Sequence, residues 1–245
     1  MNRMIALWAH PRSRSTVLER VFIERGDFEV FHEPFAHMAF DEQSAIPHDD
    51  LDCGLPRSYE AIKALLRDTR QARNVFHKDM CYHCLDELKA DPEFLLEQQN
   101  VFIIREPGRA ILSHHAMFAQ MPLAAIGHKA LYEIFCEVTR LTGKIPYVVN
   151  GDDLARQPEQ TLRRLCDHLQ LDFLPEALSW EAGCPAQWMA WRSWHKEAES
   201  STRIVAPETG FDERQLTESP HLMAYYQVHR PFYERMNHFV QQGHP

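Results

Sequence analysis

Between a short apolar run and an amphipathic stretch the chain reads Ala9-His10-Pro11-Arg12-Ser13-Arg14-Ser15-Thr16. Two guanidinium groups and three hydroxyls so close together are the donors a phosphate- or sulfate-like group needs. A helix starting there would add unpaired backbone N–H groups at the positive end of its dipole. Two arginines are costly neighbours unless an anion lies between them, which favours a binding site over a solvated helix start. The stretch departs from the nucleotide loop G-x-x-x-x-G-K-[ST]: no glycine stands between Ala6 and Thr16, and no lysine precedes the hydroxyl residue. Residues 146–152 offer no apolar strand ending in a magnesium-holding aspartate. The residue types therefore predict an anion-transfer site that works without a metal.

A second set follows. Val101-Phe102-Ile103-Ile104-Arg105 is an apolar strand ending in a cation, and Glu106-Pro107-Gly108-Arg109-Ala110-Ile111-Leu112-Ser113 turns into a helix. Arg105 at the strand's carboxyl end can present a bidentate fork, and Ser113 can add a hydroxyl to the same phosphate. Group transfer also needs a proton acceptor. Glu33, in His32-Glu33-Pro34-Phe35, is the first candidate: it follows the strand-like FEVFH and should sit beside the first loop. Flanking Phe31 and Phe35 would raise its pKa, and nearby arginines would lower it. Lys78 stands at another strand end, and His83 and His195 are reserve bases. Cys81-Tyr82-His83-Cys84 is a rival signal. It lacks the second ligand pair of a zinc site, and as a redox pair it would leave both cationic sets unexplained, so two reduced cysteines are expected.

Taken together these residues resemble the sulfotransferases that use 3′-phosphoadenosine-5′-phosphosulfate (PAPS). Pro11-Arg12-Ser13-Arg14-Ser15-Thr16 is similar to the family's 5′-phosphosulfate loop, with Arg14 where glycine is usual. Arg105 and Ser113 match the pair that grips the 3′-phosphate, and Tyr147–Asp153 with the following Leu154 and Pro158 resembles the family's strand, acidic-Leu and helix element. The resemblance implies a P-loop-like α/β fold and PAPS as co-substrate with no metal. It implies that Arg12, Ser13, Arg14, Ser15 and Thr16 hold the phosphosulfate, with Arg12 and Lys78 assisting catalysis. Glu33 lies where the carbohydrate- and tyrosine-modifying branches carry their base. Met80 stands where the cytosolic branch carries a histidine. A late loop that closes over the nucleotide in the family would draw on Lys196, Ser200, Ser201 or Arg203. The acceptor would be a hydroxyl of a small molecule or carbohydrate. The rival readings are an ATP-dependent small-molecule kinase and an inactive nucleotide-binding protein.

These side chains require a scaffold. Residues 4–9, 28–32, 74–79, 100–104 and 145–149 read as strands, and 15–25, 58–71, 127–142, 158–170 and about 220–240 as helices. Alternation of this kind predicts a parallel sheet covered by helices on both faces, in one domain over 1–245. The Trp-rich segment of about 176–215 has no sustained period, and with residues 36–57 it is expected to shape the acceptor side. With 245 residues, 44% hydrophobic and 25% charged, the chain is globular, and its net charge of −9 argues against a nucleic-acid partner. Six cysteines are ordinary for a reducing compartment. No apolar run is membrane-length and no secretory signal is read, so a cytoplasmic protein is expected.

Overall fold

The structure, a computed structural model, describes residues 2–40, 49, 54–206 and 212–242. Its strands are β1 (Met4–Ala9), β2 (Phe28–His32), β3 (Asn74–Met80), β4 (Gln99–Ile104) and β5 (Tyr147–Asn150). They form one sheet in the order β2-β3-β1-β4-β5, with all four pairings parallel. β1 is buried along its whole length, as an unbroken apolar run must be when both faces are covered. Its alternate residues feed two cores. Met4, Ala6 and Trp8 point to one, Ile5, Leu7 and Ala9 to the other.

Helices supply the two outer layers. α1 (Ser15–Arg25) joins β1 to β2, and α2 (Ala36–Ala39) and α3 (Tyr59–Ala72) lead to β3. α4 (Leu85–Ala90) and α5 (Pro92–Leu96) lead to β4, and α6 (Pro107–Met117) and α7 (His128–Thr142) lead to β5. Then come α8 (Gly151–Arg156), α9 (Pro158–Leu169), α10 (Lys196–Ser200), α11 (Glu213–Thr217) and α12 (Pro220–Gln241). α3 and α7 cover one face with Ile62, Leu66, Leu131, Ile134, Phe135 and Val138. α1 and α9 cover the other with Leu18, Val21, Phe22, Leu162, Leu165 and Leu169. Gly26 ends α1 in the left-handed conformation with its N–H on the Ile23 carbonyl, as its place in the sequence predicts.

The largest boundary difference from expectation is at β5. β5 starts at Tyr147 and not 145, because Pro146 has no N–H to give a ladder, and it runs on to Asn150. Asn150 then caps α8 by accepting from the Asp152 and Asp153 amides, a helix too short to show a period. The Trp-rich segment is irregular as expected, with 3₁₀ turns at Pro175–Leu178 and Ala186–Trp194 and a kink at Trp191. Arg20 of α1 fastens it: its guanidinium lies 5.6 Å from the Trp180 ring and 5.7 Å from the Trp188 ring and donates to the Glu181 and Gly183 carbonyls. Of the 36–57 stretch expected to shape the acceptor side, residues 41–48 and 50–53 lie outside the described residues.

Candidate active site

In this strand order the connection after β1 leads one way along the sheet and the connection after β4 leads the other. The crevice beyond their carboxyl ends is the switch point where open α/β sheets bind ligands. Both cationic sets stand there. Arg105 donates through Nη1 to the Arg12 carbonyl at 3.0 Å, and Arg12 donates through Nε to the Ser113 hydroxyl at 2.8 Å. His10 ties the loops from below. Its Nε2 accepts the Arg105 N–H at 3.0 Å, and its Nδ1 lies 2.9 Å from the Pro11 carbonyl. The two loops thus share hydrogen bonds across about ninety residues of chain.

The first loop is strained at both of its arginines. Arg12 and Arg14 hold φ of 61° and 73°, a left-handed backbone that non-glycine residues adopt at a cost. Arg14 is also the N-cap residue of α1, with no side-chain cap, so the helix's first N–H groups are left for another partner. The side chains of Arg12, Arg14 and Arg105 are only 18%, 16% and 12% exposed, so their charges are poorly screened. Burial lowers the pKa of Arg12 and Arg105, and burial followed by the repulsion of Arg105 pulls Arg14 down to about 10. All three remain cations at neutral pH. Asp152 draws Arg14, Arg105 and Arg109 together, with contacts of 3.9, 3.3 and 3.9 Å. Asp152 alone does not neutralise the three guanidiniums that it contacts.

Arg12, Arg14, Arg105 and Arg109 line a cleft of about 700 Å³ that also contains Ser15, Thr16, Ser113, Glu33, His83 and His195. Ser13 is not on its wall. Its hydroxyl is buried with no hydrogen-bond partner among the described residues, and its carbonyl packs against α8. Lys78 is fully buried behind Glu33, to which its ammonium donates, rather than facing the cleft. The pairing of His32 with Lys78 across β2 and β3 brings them together, and the Glu33 N–H closes on the Lys78 carbonyl at 2.7 Å. Glu33 has φ 47°, a third left-handed non-glycine residue at the site. Its burial would raise its pKa, but Lys78, with His32 and other histidines, outweighs this and holds the carboxyl well below the usual range.

Beside this pair lies a buried chain of polar groups. His32 Nδ1 donates to Glu19 Oε2 at 2.7 Å, Trp188 Nε1 donates to Glu19 Oε1 at 3.3 Å, and the His32 and His195 Nε2 atoms are 2.9 Å apart. His195 Nδ1 lies 3.4 Å from the Thr16 hydroxyl. His83 donates to Asp79 and stands against Phe40 and Tyr82. Of the late-loop candidates, Ser201 and Arg203 reach the cleft wall and Lys196 and Ser200 do not, while Glu197 lies 3.4 Å from Arg12. Cys81 and Cys84 are buried free thiols whose pKa burial pushes up, so neither is a ready nucleophile.

Sequence reasoning missed Asp152, His10 and Glu19. Asp152 was visible only as part of an acidic-Leu element, and His10 as one histidine among 15. A glutamate inside an amphipathic helix reads as solvent-facing.

Known proteins add the family. Two curated Arabidopsis thaliana proteins, "Branched-chain-amino-acid aminotransferase-like protein 2" and "protein 1", are 28% and 29% identical over 84% of this chain. The chain spans 37% of the length of each, and the names describe those longer proteins. The sulfotransferase domain from the curacin biosynthetic pathway is similar with a TM-score of 0.54 at 15% identity, covering 100% of this chain and 99% of that one. A sulfotransferase from Alicyclobacillus acidocaldarius gives 0.55 at 15%, covering 97% of both. At such identities these two show the fold, the P-loop-like α/β arrangement. The model of the sulfotransferase domain matches residues 2–238. With that match spanning nearly all of a chain whose cationic loops meet at the sheet's switch point, the protein belongs to the sulfotransferase family.

Proposed function

We propose that the protein moves a sulfuryl group from PAPS to a hydroxyl of a small-molecule or carbohydrate acceptor. The observation that carries this reading is the convergence of Arg12, Arg14, Arg105 and Ser113 on one cleft that also holds buried proton acceptors. Arg12, Arg14, Ser15 and Thr16, with the free N–H groups at the start of α1, hold the 5′-phosphosulfate. Arg105 and Ser113 hold the 3′-phosphate. Transfer passes negative charge to the oxygen that leaves with the nucleotide, and poorly screened guanidiniums fixed beside that oxygen stabilise it as it forms. As the acceptor oxygen bonds to sulfur its proton becomes strongly acidic, so a weak base suffices. Glu33 and His195 both reach the cleft in that capacity.

Calorimetric titration with 3′-phosphoadenosine-5′-phosphate (PAP) tests the reading. Micromolar binding is expected, weakened at least ~10-fold in Arg105→Ala, the loss that follows from removing a charged hydrogen-bonding group. Indifference to PAP together with magnesium-dependent ATP binding would replace this reading with that of a kinase.

A further inference from the structure

We propose that His195 takes the acceptor's proton, and that His32 and Glu19 are positioning residues that keep its Nδ1 lone pair bare and receive the charge behind it. The inference rests on the sulfotransferase reading and names the base within it.

The hydrogen-bond inventory assigns each ring. An ionised Glu19 can only accept, so the proton between it and His32 sits on His32 Nδ1. With that one proton on the ring, His32 presents its Nε2 lone pair to His195 Nε2, 2.9 Å away, and His195 is then the donor; Glu33 Oε1 stands 3.6 Å from the same His32 atom, so a proton passed to it comes to lie between two carboxylates. With its proton on Nε2, His195 has an unprotonated Nδ1. That atom lies 3.4 Å from the Thr16 hydroxyl, at the edge of the loop assigned to the phosphosulfate, and the residue lines the cleft. A buried carboxylate thus fixes, through two imidazoles, which nitrogen meets the substrate.

Glu33 is worse suited. Its carboxylate is already the partner of the fully buried Lys78 ammonium. Protonating it would leave that cation, among the described residues, with Glu19 3.8 Å away as its remaining carboxylate. His83 has an orienting carboxylate and lines the cleft too, against Asp79, Tyr82 and Phe40, but it is His195 whose Nδ1 reaches the Thr16 hydroxyl.

The step balances. The acceptor O–H bond breaks and an N–H bond forms at His195 Nδ1. The N–H at His195 Nε2 breaks and one forms at His32 Nε2. The acceptor oxygen bonds to sulfur while the sulfur–oxygen bond to the nucleotide breaks, its electron pair staying on the nucleotide's phosphate. The positive charge comes to rest on His32, against Glu19.

The test is nitrogen-15 NMR of histidine-labelled protein at neutral pH, using two-bond ¹H–¹⁵N correlations, with His195→Gln and His32→Gln to assign the rings. Expected are His195 protonated at Nε2 and bare at Nδ1, and His32 protonated at Nδ1. A His195 proton on Nδ1, a doubly protonated His195, or a zinc-bound shift on either ring would overturn the proposal. The second arm follows PAP release from PAPS with water as the acceptor. His195→Gln should slow it ~10²-fold with PAP affinity held within threefold, and an unchanged rate counts against the proposal. PAP calorimetry separates the two failures: a wrong tautomer in a PAP-binding protein rejects the base assignment, whereas absent PAP binding rejects the sulfotransferase reading itself.

Discussion

Arg14 shows what a single residue contributes and what it costs. At φ 73° it holds a backbone conformation that disfavours any side chain by roughly 1–2 kcal/mol, which explains why a loop of this shape favours glycine there. Its guanidinium is the compensation, set 3.9 Å from Asp152 and aimed into the cleft. Arg14→Gly should therefore separate the two effects: a melting temperature equal to or above the parent's, and PAP affinity lowered about tenfold, read by calorimetry and thermal unfolding. A variant that lost stability but bound PAP normally would contradict this. At the same scale Arg12, Arg105 and Ser113 were legible because their types and local spacing suit an anion. Glu19 and Asp152 were not, since their meaning depends on partners far along the chain: Trp188, and Arg14 with Arg105.

Elements fix the distances that residues exploit. α8 begins with Gly151, where an added Cβ would lie 2.2 Å from the Ser13 carbonyl oxygen, so the helix start and the loop after β1 touch through bare backbone. Gly151→Ala must push them apart. A loss of ~1–3 kcal/mol in urea unfolding is expected, with weaker PAP binding because Asp152 moves with the helix. Normal stability and affinity would show that the loop tolerates the shift. The strands were readable because apolar runs of strand length suit a sheet covered on both faces. α8 was not, at six residues. The late segment stayed unreadable for another reason: it is held by Arg20 stacking on Trp180 and Trp188 and by the Trp188 hydrogen bond to Glu19, not by any period of its own.

Across the whole molecule, buried imidazoles set the response to acid. His10, His77, His128 and His195 are all held below the ordinary histidine pKa chiefly by burial, His128 down to about 3. The unfolded chain takes up these protons near pH 6.5 and the native one does not, so the unfolded state binds more protons below that pH. Stability present at pH 7.5 should then fall as the pH drops, by up to ~1.4 kcal/mol per pH unit for each such histidine, and for His128 down to about pH 3. Glu33, held low by Lys78, adds a loss of the same sign once the pH falls through the ordinary carboxylate range. Urea midpoints measured between pH 7.5 and 5 check this, and a flat profile would refute it.

Arg12 donates both to Ser113 and to the carbonyl of Trp194, the residue next to His195. A single guanidinium therefore touches the proposed nucleotide cradle and the backbone that carries the proposed base. Occupancy of the one cannot be energetically independent of the geometry of the other. Steady-state kinetics should consequently show a compulsory sequence of addition, donor ahead of acceptor, and dead-end inhibition by PAP that an excess of the alcohol does not relieve.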